Sequence, residues 1–211
     1  MKDLYHGSWE IVKNPIYGFG RNDNDYGQGF YCTEDIELAR EWACSEKLTS
    51  WCNHYNLDTS NLNILDLSQD DFGPLEWLAL LLNNRNINLD SQLSRKSADW
   101  IISNHLIDIT DYDVIVGYRA DDSFFRIARA FINNSLPIEI LDSALRSGEL
   151  GLQYTLKSKA AFDALQFEDA ELVDHRQYYA RRLTRSRNAS AEVFNNDAIL
   201  NGTFLADLMR R

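Results

Sequence analysis

The residue pattern predicts an α+β fold, and two observations carry that prediction. Short apolar runs bounded by turn-forming residues read as strands. Between them lie segments whose apolar positions recur at helical spacing behind capping residues. The chain has 211 residues, 45% of them hydrophobic and 25% charged. That length suits a single domain with at most a small appendage, and that composition can fill a sizeable core. No internal repeat or low-complexity block interrupts it.

The elements follow in order. Lys2–His6 is a short strand ending in His-Gly-Ser. Trp9–Gln28 is a loop, marked by Pro15, several glycines and the polar run Arg21–Asp25. Gly29–Thr33 is a second strand, after which Thr33 serves as the N-cap of a helix reaching about Lys47. Leu62–Leu67 is a strand, Pro74 opens a helix that continues through Leu75, Leu78 and Leu82, and Ala98–Leu106 is another helix. Tyr112–Gly117, β-branched and closed by a glycine, is the clearest buried strand. Ser123 caps a helix through Asn133, Pro137–Arg146 is helical and stops at Gly148, and Leu150–Leu156 is a strand. Ser158 then caps a helix to about Phe167, with a last strand at Ala170–Asp174 and a helix at Arg176–Leu183. The domain is expected to span residues 1–183. Residues 184–211 read as a polar linker followed by an amphipathic helix carrying Ile199, Leu200, Phe204, Leu205 and Leu208, and packing back onto the domain is the simpler role for that helix.

Charge and cysteines narrow the function classes. The formal net charge is −11, which disfavours bulk electrostatic binding to nucleic acid, although a local basic cleft needs only a few arginines. Cys32, Cys44 and Cys52 are odd in number and lack Cys-x-x-Cys spacing. That argues against a disulfide framework and against a structural zinc site. No apolar signal region opens the chain, and no run approaches the roughly 20 apolar residues of a membrane span. Three reduced cysteines in a cytoplasmic protein are therefore expected.

Two segments depart from core-building patterns: Tyr5-His6-Gly7-Ser8, and Tyr26-Gly27-Gln28-Gly29-Phe30-Tyr31-Cys32-Thr33. The first offers a ring nitrogen, an unhindered backbone amide and a hydroxyl close together, a set that suits a carboxamide and a ribose hydroxyl. In the second, a Gly-x-Gly turn permits close backbone approach and then delivers Tyr31. The third glycine and the βαβ setting of a dinucleotide-binding fingerprint are missing, so a Rossmann reading is rejected. His54, His105 and His175 have no partner at ligand or triad spacing.

In this order and spacing the two segments resemble the ADP-ribosyltransferase superfamily, on its diphtheria-toxin and poly(ADP-ribose)-polymerase side. More closely, the chain is similar to an uncharacterised bacterial family assigned there. That similarity rests on the Tyr-His-Gly-Ser start, on Arg21, Asp25, Tyr26-Gly27, Gly29-Phe30-Tyr31 and Thr33, and on Asp113-Val114-Ile115, Gly117 and Ala120-Asp121-Asp122. It covers about residues 3–183. The resemblance implies split, mixed or antiparallel sheets with surrounding helices, and NAD⁺ as substrate. It places His6 on a hydroxyl of the nicotinamide ribose, Gly7 on the carboxamide, and Tyr31 against the nicotinamide ring. Ser8 would reach the ribose or adenosine side, Gly29 the cofactor, and Arg21 the pyrophosphate. The family's third element usually starts with Glu; here Gln153-Tyr154-Thr155-Leu156 takes that place. A neutral Gln153 can accept a hydrogen bond but supplies no charge, and Glu149 is a candidate source of that charge. Asp121 and Asp122 are expected to cap the next helix, and Arg126 and Arg129 either to line the cleft or, the favoured reading, to pair with surface acids.

The resemblance implies a mono-ADP-ribosyltransferase with a macromolecular acceptor. A protein acceptor is favoured by the acidic charge. The setting would be a bacterial toxin, with an antitoxin partner, or a phage-defence effector. The alternatives are a catalytically inactive module that binds NAD⁺ or ADP-ribose, and an RNA 2′-phosphotransferase, which the charge disfavours.

Overall fold

The computed structural model describes residues 1–45, 49–69, 71–146, 151–194 and 201–210, with backbone alone at 122–123, 146 and 186–194. Seven strands and eight helices occur among the described residues. In chain order they are β1 (Lys2–Ser8), β2 (Phe30–Cys32), α1 (Ile36–Ala43), β3 (Trp51–Leu57), β4 (Ile64–Asp66), α2 (Pro74–Asn84), α3 (Gln92–His105) and β5 (Val114–Tyr118). They continue with α4 (Asp122–Ile132), α5 (Ile138–Arg146), β6 (Leu152–Leu156), α6 (Lys159–Asp163), β7 (Leu165–Leu172), α7 (His175–Phe194) and α8 (Leu205–Leu208). None of these helices is long and apolar enough to cross a membrane.

The strands form two sheets, ordered β1-β3-β7 and β2-β6-β5-β4, with β4–β5 the parallel pair and all other neighbours antiparallel. Leu4 and Leu57 of the first sheet pack with Cys32, Val114, Val116, Tyr154 and Leu156 of the second. A larger core gathers the helices on the second sheet around Trp77, Leu78, Ile101, Phe124, Phe131 and Leu141. Both sheets thus bury one apolar face, as a layered fold requires.

Among the described residues the sheets are joined by one backbone bridge, where the Tyr5 N–H donates to the Thr33 carbonyl (2.8 Å) and the Thr33 N–H donates to the Tyr5 carbonyl (3.0 Å). An antiparallel ladder continued from that bridge would next pair Gly7 with Tyr31. It does not continue. The Tyr31 carbonyl is taken by the His6 ring instead, at 2.7 Å from Nδ1, and the sheets part at this point.

Several expectations need correction. The strand Trp51–Leu57, the centre of the first sheet, went unpredicted because Asn53, His54 and Asn56 break up its apolar pattern. The N-cap of α1 is Asp35, whose carboxylate accepts from the Glu37 and Leu38 N–H groups, whereas Thr33 is held in the bridge to Tyr5. The Ser158 cap is as expected, but α6 is short and β7 starts already at Leu165. The expected linker after residue 183 is a continuation of α7 to Phe194. Leu205 does pack back into the main core, while Ile199, Leu200, Lys47 and Gly148 lie outside the described residues.

Candidate functional site

Where the sheets part, a cavity of about 210 Å³ opens, lined by His6, Gly7, Asn24, Asp25, Tyr31, Trp42, Arg85, Arg119, Ala120 and Gln153. Four residues expected at one site, His6, Gly7, Tyr31 and Gln153, therefore meet there. Arg85 also lines two adjoining grooves. One, of about 610 Å³, carries Arg21, Asp23, Phe125, Arg126 and Arg129. The other, of about 410 Å³, carries Trp42, Arg119, Tyr179, Arg182 and Arg185.

The Gly7 backbone is the open part of the wall. Successive residues of a strand send their N–H and C=O to opposite edges, so residues two apart share an edge. Those of Tyr5 point at Thr33, so those of Gly7 point the same way, and no hydrogen bond meets them among the described residues. The absence of a Gly7 side chain has a packing cause: a Cβ would stand 2.1 Å from the Ala39 carbonyl oxygen and 2.4 Å from the Ala43 nitrogen of α1.

His6 is neutral by position. Burial pushes its pKa down, and the bond to the Tyr31 carbonyl only partly opposes this. A carbonyl can only accept, so Nδ1 carries the proton and Nε2 is left as an acceptor. The ring rests on Phe30, with centroids 4.4 Å apart. Tyr31 is fixed at its far end: its hydroxyl donates to the Gly27 carbonyl (2.6 Å) and accepts from the Tyr26 N–H (3.1 Å). Burial raises its pKa.

Tyr26 anchors the loop that carries Asp25. Its hydroxyl donates to the Tyr118 carbonyl (2.8 Å) and accepts from Trp77 Nε1 (2.6 Å). A Cβ at Gly117 would lie 2.2 Å from that hydroxyl, so only glycine leaves room for it. Asp25 thereby points inward. Its Oδ2 accepts from the Ala120 N–H (2.9 Å) and from Gln153 Nε2 (2.8 Å), and its Oδ1 lies 3.5 Å from Arg85 Nε. Burial raises its pKa, opposed by the Ala120 and Gln153 donors and by Arg85 and Arg119. Gln153, 4% exposed, donates from the same Nε2 to the Tyr118 carbonyl (3.2 Å). Trp42 adds a buried Nε1–H with no acceptor among the described residues, and Arg119 stacks over its ring at 5.1 Å.

Other expected residues fall elsewhere. Ser8 does not line the cavity; its hydroxyl donates to the Glu10 carbonyl and accepts from Asn53 Nδ2. Gly29 is packed against Thr155, Leu156 and the Gly20 segment, so its close approach is to its own chain. Arg21 faces the larger groove and is held bidentately by Asp23 at 2.9 Å. Arg126 and Arg129, expected to line the cleft or to pair with surface acids, line that groove. Asp121 does cap α4, accepting from the Phe124 N–H. Glu149 lies outside the described residues. His54, His105 and His175 take Asp3, Glu76 and the Ser45 carbonyl as partners. Sequence reasoning did not single out Arg85 or Trp42 as site residues, since nothing local marks them. Asp25 was visible only as one letter of a motif.

Fold and site together define a mixed α+β protein with a small polar cavity where two sheets diverge. Residues 2–167 match the family described as "Protein of unknown function (DUF3990)", and the chain belongs to that family. No curated protein and no solved structure matches it.

Proposed function

We propose that this protein binds NAD⁺ with its nicotinamide end in the cavity and transfers a single ADP-ribose to an acceptor. The observation that carries the reading is the open Gly7 backbone beside His6 Nε2 and the pinned Tyr31 ring. A donor and an acceptor on one residue match the two halves of a carboxamide, and an adjacent aromatic face matches a planar ring. The His6 Nε2 acceptor would take a ribose hydroxyl. The cavity, about 210 Å³, is below the roughly 300–1,000 Å³ that encloses a whole drug-sized ligand. It suits one end of a dinucleotide, and the arginine-lined groove beside it suits a pyrophosphate. A toxin role rests on the family resemblance alone, and the choice of a protein acceptor on the acidic net charge.

Titration calorimetry with NAD⁺ and chromatographic detection of released nicotinamide test this. Tyr31→Ala should weaken NAD⁺ binding by about fivefold to tenfold, the equivalent of the ~1 kcal/mol of ring stacking. His6→Ala should abolish release. An absence of NAD⁺ binding by the wild type would refute the proposal. Binding without turnover would instead favour a sensor module.

A further inference from the structure

We infer that Asp25 provides the carboxylate that faces the reacting sugar and that Gln153 positions it, an inference that rests on the NAD⁺ reading above. The geometry explains the amide at 153. Gln153 Nε2 sits between two acceptors, Asp25 Oδ2 at 2.8 Å and the Tyr118 carbonyl at 3.2 Å. A glutamate there would set a carboxylate against a carboxylate and a carbonyl, with no proton to share. The amide is what this pair of neighbours requires, and the negative charge has moved across the contact to Asp25.

Asp25 is built to carry it. The residue is 5% exposed yet lines the cavity with His6 and Tyr31. Oδ2 holds two donors, which orients the carboxylate, while Oδ1 has Arg85 as its neighbour, at 3.5 Å. No hydrogen bond is made to that oxygen among the described residues. The loop cannot drift, because Asn84 Nδ2 donates to the Asp25 carbonyl (3.2 Å) and Lys157 Nζ donates to the Tyr26 carbonyl (2.5 Å). The charged or titratable groups facing Asp25 are Arg85, Arg119, Tyr26 and Tyr31.

In the step assigned to it, the C1′–N bond breaks and its electron pair leaves with nicotinamide, which becomes neutral. The positive charge passes to C1′ and the ring oxygen of the ribose, where the Asp25 carboxylate stabilises it. The acceptor's nucleophilic atom, or water, then bonds to C1′, and its proton passes to Asp25 and on to solvent.

The test compares wild type, Asp25→Asn, Gln153→Glu and the double variant, reading NAD⁺ affinity, nicotinamide release and melting temperature in each. Asp25→Asn should lower the release rate by about 100-fold, the scale of losing one preorganised electrostatic partner, with affinity within threefold and melting temperature near wild type. Gln153→Glu should also be slow, because it sets two carboxylates together. The double variant re-forms a carboxylate–amide pair with the charge on the other side and should be at least tenfold faster than Asp25→Asn. If Asp25→Asn fails to fold, the double variant decides: release within about tenfold of wild type supports the inference, and no release overturns it. Release by Asp25→Asn within threefold of wild type overturns it, as does a joint loss of rate, affinity and stability that the double variant does not recover. Wild type that binds NAD⁺ without releasing nicotinamide overturns this inference and leaves the binding reading standing. Wild type that does not bind NAD⁺ overturns both.

Discussion

At the scale of single residues, the site is assembled from groups whose neighbours leave them little choice. His6 must donate from Nδ1 because a carbonyl faces it. Gly117 must lack a side chain because the Tyr26 phenol fills that space. The buried, neutral His6 also predicts a pH dependence. Its folded-state pKa lies below 6.5, so as pH falls the unfolded chain takes up the proton first. The contribution is fully present above about pH 6.5 and is lost as pH drops from there through the lower folded-state value, with a slope of at most about 1.4 kcal/mol per pH unit. Urea denaturation of wild type and His6→Asn across pH 5–8 checks this. The two stabilities should run parallel above pH 7, and wild type should decline relative to the variant below it. A constant difference across the range would contradict the assignment. Asp25 works in the opposite sense: its raised pKa makes its charge a cost, which is relieved as pH falls through the folded value.

At the scale of elements, the wall behind Gly7 depends on how α1 is held. The α1 backbone lies directly against β1 at that glycine. Its outer side is tied to α7, where Arg185 donates from Nε and Nη2 to both carboxylate oxygens of buried Glu41, each at 2.9 Å. Glu37 adds contacts to Tyr178 and Arg181 of the same helix. Arg185→Ala would leave the Glu41 carboxylate buried without its bidentate partner. It should cost about 3 kcal/mol, the lower end for breaking a buried pair, since the arginine is itself 30% exposed. Chemical denaturation measures it, and Glu41→Gln in the same background should recover part of the loss. A change below 0.5 kcal/mol would show that α7 does not brace α1.

At the scale of the whole molecule, a strongly acidic chain places arginines around one opening. Arg21, Arg85, Arg126 and Arg129 line the larger groove, and Arg119, Arg182 and Arg185 the smaller. Net charge describes the average surface, whereas a ligand meets the local one. The C-terminal segment closes the main core from outside. Leu205 is 1% exposed, and the Ile138 N–H donates to the Thr203 carbonyl at 2.9 Å. Leu205→Ala should therefore lower stability by about 2–4 kcal/mol through the cavity it leaves. Thermal unfolding tests it, and an unchanged melting temperature would mean that the segment is not part of the folding unit.

Much of this was legible in the chain itself. Local chemistry determined the helices at Pro74 and Ser158, the buried strand through Val114, Ile115 and Gly117, the α+β class, and the presence of something unusual at Tyr5–Ser8 and Tyr26–Thr33. Such features depend on caps, turns and periodicity, which neighbouring residues set. The central strand Trp51–Leu57 was not legible, because polar residues break its apolar pattern and Asn53 finds its partners, His6, Ser8 and Glu10, far along the chain. The Asp25–Gln153 contact joins residues 128 positions apart, and no local pattern encodes it. Sequence alone therefore marked some of the segments that line the cavity, and only tertiary structure decided which of their groups face one another and that Asp25 meets Gln153. A hydrogen bond between distant residues exists only once two sheets have met and parted.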